Sequence, residues 1–214
     1  MELLARNFCA AYPDVTPIIF KGQCKVEEPK NKKSGTGFLQ IEFKGIDGVS
    51  FPHELANKAS SFASKVNHTG ILLQDCDGIV LFEKDGQKYM LFCELKSTFS
   101  TEEIAKAKNQ LVGSYIKMKG ILSTLQGYDN NTYKPIGVIV SFEPTQEQLN
   151  AISKRDDRHS HFAISLNTKK IYCMHSSKCN SFFHPFAVGD FDIYYVGVPN
   201  RQQIYSVDLY NIIK

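Results

Sequence analysis

The stretch that decides the fold runs from Cys76 to Ser97 and reads CDGIVLFEKDGQKYMLFCELKS. Two apolar segments in it flank Asp85-Gly86, a dipeptide typical of two-residue hairpin turns. The returning segment, KYMLFCEL from Lys88 to Leu95, is apolar on both faces. That pattern is typical of a strand inside a sheet that is covered on both sides. The sequence therefore predicts a buried β-hairpin.

The turn also predicts which residues lie opposite each other. If Asp85 and Gly86 form the turn, Lys84 pairs with Gln87, and equal steps back along both strands bring Asp77 opposite Glu94. Directly opposed residues of an antiparallel pair have Cβ atoms about 5 Å apart. Side chains alternate along a strand, so Glu94 and Lys96 project to one face, about 6.5 Å apart. We expect three ionisable groups to converge at one end of this apolar hairpin.

Two opposed carboxylates at a buried sheet end repel each other and lose their hydration. A divalent cation offsets both effects, and carboxylate oxygens are the hard ligands that Mg²⁺ or Mn²⁺ prefers. We expect Asp77 and Glu94 to hold such an ion, with the carbonyl of Leu95 as a third ligand and Lys96 steadying developing negative charge. The alternative is that Asp77 caps a turn and that Glu94 and Lys96 emerge into solvent where the strand ends.

Elements on both sides of the hairpin predict an α/β fold with a central mixed sheet flanked by helices. Before the hairpin, Leu55, Ala59, Phe62 and Val66 recur at helical spacing. After it, Ser100 and Glu103 form a capping-box pattern that opens a long helix, whose apolar stripe runs from Ile104 to Leu125. Further elements are predicted as a buried strand at Pro135–Phe142, a short helix at Pro144–Lys154 and a β-rich C-terminal extension with strands at Phe162–Leu166, Lys170–Met174, Asp192–Val198 and Gln203–Val207.

Composition sets broad limits on the class of protein. A chain of 214 residues suits a single domain over 1–214, with a core at about 50–142. Its net charge of +3 permits a nucleic-acid partner without requiring one. No segment approaches the ~20 apolar residues of a membrane helix, and no secretory signal opens the chain. Six scattered cysteines are typical of reduced thiols, so we expect a cytoplasmic protein with no membrane partner.

With these residues in place, the chain resembles the PD-(D/E)xK nuclease superfamily, which has a restriction-endonuclease-like core. The resemblance rests on Cys76 to Ser97 and the long helix from Thr101, and extends more loosely over Ser50 to Phe142. The superfamily's aspartate falls on Asp77 and its (D/E)xK on Glu94, Leu95 and Lys96. Cys76 stands where the proline of the name would be.

The resemblance implies a metal-dependent hydrolase of phosphodiester bonds, an endonuclease acting on DNA and less often on RNA. The implied setting is a restriction, defence, mobile-element or repair system, with a homodimer or a partner ATPase. Many members carry an acidic ligand on the first core helix, and Glu54 is the candidate here. Its alternative role is a helix N-terminal acid that pairs with Lys58.

Some members also carry a glutamine on the helix after the (D/E)xK strand, and Gln110 matches that position. Gln110 lies with Lys106, Ser114 and Lys117 on the helix face away from the apolar stripe. Gln110, Lys106 and Lys117 are therefore candidates for binding substrate. The alternative is that this face is simply solvated.

Two other functional hypotheses stay open at this stage. One is a non-catalytic module on the same fold that binds nucleic acid or protein. The other is an interaction domain stabilised by structural Zn²⁺, because four residues of types that bind zinc, Cys173, His175, Cys179 and His184, occur in a short stretch. Familiar zinc spacings begin with two closely spaced cysteines, so reduced cysteines and surface histidines are the commoner meaning of this pattern.

Overall fold

A computed structural model describes residues 1–27, 40–52, 55, 70–129, 131–184, 186–199 and 204–213. The predicted helix from Leu55 to Val66 and the candidate ligand Glu54 lie outside these residues, apart from Leu55 itself. The helices are α1 Glu2–Ala11, α2 Thr101–Leu122, α3 Gln146–Ser153, α4 Arg158–Lys169, α5 Ser176–Phe182 and α6 Leu209–Ile212. The strands are β1 Ile18–Phe20, β2 Gln23–Glu27, β3 Gln40–Lys44, β4 Gly48–Phe51, β5 Gly78–Lys84, β6 Gln87–Lys96, β7 Tyr133–Phe142, β8 Ile171–Met174, β9 Phe191–Val198 and β10 Ile204–Asp208.

The described strands form two sheets. The larger has seven strands in the order β1-β4-β5-β6-β7-β9-β8, and the smaller has three in the order β10-β3-β2. In the larger sheet β6, β7 and β9 run parallel, and the other neighbours pair antiparallel. Helix α2 is the connection between the parallel strands β6 and β7, as a parallel crossover requires. The mixed α/β architecture predicted from the sequence is confirmed.

The two faces of the large sheet are covered differently. Met90 and Phe92 of β6 pack in a core that includes α1, α2, α4 and α5. Leu91, Cys93 and Leu95, which alternate with them, pack instead against the three-stranded sheet and α6. Helices therefore flank one face, and a second sheet covers most of the other. Strand β6 is buried on both sides, as its continuous apolar pattern predicts.

The C-terminal third differs from the sequence prediction in two ways. The strand predicted at Phe162–Leu166 is wrong, because these residues lie inside α4. Asp157 caps that helix, and its carboxylate accepts hydrogen bonds from the backbone N–H groups of His159 and Ser160. The strands predicted at Lys170–Met174, Asp192–Val198 and Gln203–Val207 correspond to β8, β9 and β10, but they do not form a separate β-rich extension, because β8 and β9 belong to the central sheet and the described C-terminal residues also include α3, α4, α5 and α6.

The segment that leads into the hairpin begins with a helical turn. Gly70–Leu73 forms one turn of 3-10 helix, and β5 begins only at Gly78. No helix among the described residues is both long and apolar enough to cross a membrane.

Candidate functional site at the end of the β5–β6 hairpin

The hairpin turn has the geometry that the Asp-Gly dipeptide predicts. Asp85 and Gly86 have φ angles of 51° and 78°, so both adopt the left-handed conformation that matches the twist of the flanking strands. The paired positions run from Lys84 opposite Gln87 to Gly78 opposite Cys93. The predicted register is therefore confirmed, and Asp77 is the next residue before the last pair.

All three predicted site residues are buried, and Glu94 and Lys96 project to the face of β6 that α2 covers. Glu94 is fully buried, and Asp77 and Lys96 are 5% and 6% exposed. The Lys96 Nζ lies 2.9 Å from Glu94 Oε1, and the backbone N–H of Leu95 donates to Asp77 Oδ2 at 2.8 Å. The alternative in which Glu94 and Lys96 emerge into solvent is wrong, because both side chains are buried although β6 ends at Lys96.

The ammonium group of Lys96 is held by groups from two elements. Besides Glu94, it donates to Gln110 Oε1 at 2.8 Å and lies 3.3 Å from Glu103 Oε2. Glu103 stands in the first turn of α2, where its backbone N–H donates to the hydroxyl of the N-cap Ser100 at 3.2 Å. The cap of α2 therefore places a carboxylate beside Lys96 as well as starting the helix.

Most of the α2 face that carries Gln110 is buried. The alternative that this face is simply solvated is therefore wrong except at Lys106. Gln110, Ser114 and Lys117 are all buried, and only Lys106 is exposed. Lys117 forms an ion pair with Asp75 and donates to the backbone oxygen of Gln74 at 3.1 Å. Gln110 belongs to the site through Lys96, whereas Lys117 is too deeply buried to face a macromolecular substrate directly.

Sequence reasoning missed the segment that these side chains contact. Gln110 Nε2 donates to the backbone oxygen of Asp75 at 3.0 Å, and the hydroxyl of Ser114 accepts from the N–H of Cys76 at 2.9 Å. The one signal for this contact is Gly113, an isolated glycine inside a strongly helical pattern. A glycine inside a helix costs about 1 kcal/mol relative to alanine, and at Gly113 the missing side chain leaves room for the backbone oxygen of Ile71.

Two buried thiols lie around the carboxylates. Burial raises the pKa of Cys76, and the nearby charges of Glu94, Asp77 and Asp75 raise it further. Burial also raises the pKa of Cys93 well above its usual range, with Asp77 adding to the effect. Both thiols therefore stay protonated at neutral pH, as inert buried cysteines do.

A cavity of about 350 Å³ reaches Asp77 from the side of the smaller sheet. Its polar lining includes Lys25, Glu27 and Ser50, and Gly78 forms part of the wall beside Asp77. Lys25 is half-exposed and lies 3.6 Å from Glu27. In the sequence, the alternation of polar and apolar residues over Gln23–Glu27 indicates that Lys25 faces outward, but nothing in it indicates that Lys25 lies in a cavity with Asp77.

Within the described part of the chain, no group of three or more His, Cys, Asp or Glu side chains is arranged to hold a metal. Cys173, His175, Cys179 and His184 therefore do not converge. Cys173 is exposed, and Cys179 is fully buried with its thiol 3.6 Å from the backbone oxygen of Met174. Asp77 and Glu94 are two of the three carboxylates that the resemblance assigns to a metal, and the third, Glu54, lies outside the described residues.

Comparisons of the chain with protein-family models, with curated proteins and with solved structures find no match.

Proposed function

We propose that this chain is a metal-dependent nuclease of the PD-(D/E)xK type that hydrolyses phosphodiester bonds in DNA, acting as an endonuclease. The observation that carries the proposal is the burial of Asp77, Glu94 and Lys96 together at one end of the β5–β6 hairpin. Buried ionisable groups are costly to a fold unless they are paired, and they concentrate at functional sites.

The topology around this hairpin supports a restriction-endonuclease-like core. The antiparallel strands β5 and β6 carry the acidic residues and the lysine, α2 follows at once, and β7 returns parallel to β6. This order places the candidate site where β5 begins and β6 ends, beside the first turns of α2. The additional strands β8 and β9 extend the sheet away from the site.

The donor set fits a hard divalent cation. Asp77 and Glu94 offer carboxylate oxygens, the ligand type that Mg²⁺ and Mn²⁺ prefer, and the Leu95 N–H fixes the orientation of the Asp77 carboxylate. We propose that these two side chains hold the ion, together with the Leu95 carbonyl and, by resemblance, Glu54. When bound, such an ion supplies Lewis acidity for phosphodiester hydrolysis.

Lys96 supplies positive charge beside the reacting phosphate. Its ammonium group is oriented by Glu94 and Gln110 and has Glu103 within 3.3 Å. Glu103 is partly exposed, whereas Glu94 is fully buried, so the ammonium lies near the boundary between core and solvent. An ammonium in this position can turn towards a phosphate oxygen and stabilise the negative charge that grows there during hydrolysis.

The cavity at Asp77 gives a substrate strand a route to the carboxylates. Two of its polar side chains, Lys25 and Ser50, are types that bind phosphate oxygens through charge and hydrogen bonding, whereas the carboxylate of Glu27 lies 3.6 Å from the Lys25 ammonium. Lys106 on the exposed part of α2 is a second candidate for contacting the nucleic-acid backbone.

Nicking of supercoiled plasmid DNA tests the proposal. We expect the wild-type chain to convert supercoiled DNA to nicked or linear forms in Mg²⁺ or Mn²⁺ but not in EDTA, and we expect Glu94→Ala to lack this activity. Parallel assays with single-stranded DNA and with RNA determine the substrate class.

Binding without cutting in any divalent metal would instead support the non-catalytic module. In that case the three buried groups would hold the fold together without performing chemistry. Circular dichroism of Glu94→Ala distinguishes a lost active site from a lost fold.

A further inference from the structure

We infer that the buried Asp75–Lys117 ion pair and the helix face around it are a positioning device that fixes Asp77 for metal binding. The inference rests on the proposed function, because it assigns Asp77 to a metal site. We call Gln110, Gly113, Ser114 and Lys117 the polar strip of α2. Neither Asp75 nor Lys117 touches the reacting atoms in this account, so both are positioning residues.

The polar strip binds each of the three residues that directly precede Asp77. Lys117 binds the backbone oxygen of Gln74 and the carboxylate of Asp75. Gln110 binds the backbone oxygen of Asp75, and Ser114 binds the backbone N–H of Cys76. Three consecutive residues before Asp77 are therefore held by side chains of one helix.

Gly113 lets this segment approach the helix closely. A Cβ atom built at Gly113 would lie 2.1 Å from the backbone oxygen of Ile71, far inside van der Waals contact. The 3-10 turn at Gly70–Leu73 thus rests directly on the backbone of α2. Because Gly113 lies between Gln110 and Ser114, the close approach brings the whole segment within hydrogen-bond reach of the polar strip.

The buried Asp75–Lys117 ion pair contributes more to fixing one geometry than to net stability. The Lys117 side chain is 1% exposed and that of Asp75 is 7% exposed, so both charges have lost their hydration. Asp75 Oδ2 is buried without a hydrogen-bond donor among the described residues, which leaves Lys117 as the compensating cation. A buried ion pair adds little net stability over apolar packing, but it fixes one arrangement because removing either partner leaves the other charge unpaired.

The same strip links the segment to Lys96. Gln110 donates through Nε2 to the Asp75 backbone oxygen and accepts through Oε1 from Lys96. Asp77 itself is held on its other side by the N–H of Leu95 in β6. A shift of the 71–77 segment along α2 would therefore move Asp77 relative to both Glu94 and Lys96.

Cysteine alkylation tests this inference without depending on catalysis. Cys76 lies in the segment that the polar strip binds, whereas Cys93 lies in the central strand β6. Both thiols are buried, and burial raises the pKa of each. We expect Lys117→Met to raise the native alkylation rate of Cys76 about tenfold or more while that of Cys93 stays unchanged. Peptide mass spectrometry after iodoacetamide treatment measures both rates in one sample. Ser114→Ala, which removes only the acceptor for the Cys76 N–H, should produce the same selectivity to a smaller degree.

Metal dependence provides the second readout. In Lys117→Met we expect the Mg²⁺ concentration for half-maximal plasmid nicking to rise about tenfold, because an unfixed Asp77 binds the ion less well. Lys117→Arg keeps the positive charge and should recover part of this loss. For the alkylation readout, Lys106→Met removes an exposed lysine from the same helix and serves as the matched control, with no change expected in the alkylation rate of Cys76.

Two results would overturn the inference. One is unchanged Cys76 reactivity in both Lys117→Met and Ser114→Ala. The other is equal acceleration of Cys76 and Cys93, which would mean that the ion pair supports the whole fold and not one segment. Failure of the proposed function is recognised separately, as a wild-type chain that cuts no nucleic acid, and it leaves the alkylation result to be judged independently.

Discussion

The two buried lysines near the candidate site, Lys117 and Lys96, have different surroundings, which we call the Lys117 neighbourhood and the Lys96 neighbourhood. Lys117, on α2, has its two acceptors at adjacent residues of one segment, Gln74 and Asp75. Lys96, at the end of β6, has acceptors from its own strand and from two turns of α2, including the partly exposed Glu103. Lys117 therefore binds a segment to a helix. Lys96 instead lies near solvent and has several acceptors, so its ammonium group can leave one of them for another. Burial alone therefore does not mark a catalytic lysine.

The largest expected effect on activity comes from substituting Asp77, and Asp75, the partner of Lys117, provides the contrast. Asp77→Asn should reduce metal-dependent nicking by about 10³-fold or more, because a neutral amide is a poor ligand for a hard cation. The fold should survive, since the amide oxygen can still accept from the Leu95 N–H. Plasmid nicking and thermal unfolding measure the two properties.

Asp75→Asn is the counterpart and should act mainly on stability. It leaves the buried Lys117 without a carboxylate, which we expect to lower the free energy of unfolding by about 3 kcal/mol. Urea denaturation of both variants checks the contrast. Equal losses of stability in the two variants would remove the distinction between the two neighbourhoods.

Lys96→Met should have the next largest effect on activity. Methionine keeps most of the side-chain volume and removes the charge, so we expect nicking to fall about 10²-fold. Glu94, Glu103 and Gln110 would lose a shared partner. Glu103 can turn to solvent because its side chain is 40% exposed, whereas Glu94 is fully buried, so thermal unfolding of the variant accompanies the activity assay. Single-turnover rates at saturating Mg²⁺ measure the loss, and a rate within threefold of wild type would exclude Lys96 from the chemistry.

Gln110→Leu tests the connection that Gln110 makes between Lys96 and the backbone of Asp75. The change removes both the acceptor for Lys96 and the donor to the Asp75 backbone oxygen, so we expect nicking to fall about tenfold. Gln110→Glu keeps an acceptor for Lys96 and should retain more activity. A nicking time course compares the rates of the two variants, and a Gln110→Leu rate equal to or above that of Gln110→Glu would contradict this role.

Lys106→Ala should give the smallest effect. If this exposed lysine contacts one phosphate, the substitution weakens DNA binding uniformly and lowers the slope of log affinity against log salt by about one unit. Fluorescence anisotropy across a salt series in Ca²⁺ measures the slope. An unchanged slope would place Lys106 outside the DNA interface.

The register of the site could be predicted from sequence because a two-residue turn leaves little freedom. Asp85 and Gly86 both adopt positive φ, and the pairing of every residue back to Gly78 follows from that turn. The burial of β6 was equally clear, since its apolar run has no polar face to give to solvent. Local chemistry was sufficient for these two features.

Helical periodicity predicted that the residues of the polar strip share one face of α2, but it could not predict that this face is buried. Gln110, Ser114 and Lys117 lie on a polar face whose partner is the backbone of a distant segment, and tertiary contact alone buries them. The strand predicted at Phe162–Leu166 failed for a related reason. Its alternating apolar residues fit a strand, but the cap at Asp157 and the packing of Phe162, Ala163 and Leu166 stabilise a helix.

The central claim is that the buried carboxylate beside Lys96 acts in metal-dependent cutting, and a paired substitution tests it most directly. Glu94 and Glu103 both contact the Lys96 ammonium, at 2.9 Å and 3.3 Å, but only Glu94 is proposed to hold the metal. We predict that Glu94→Gln abolishes plasmid nicking in Mg²⁺, whereas Glu103→Gln keeps it within about threefold of wild type. Equal activity of the two folded variants would contradict the account.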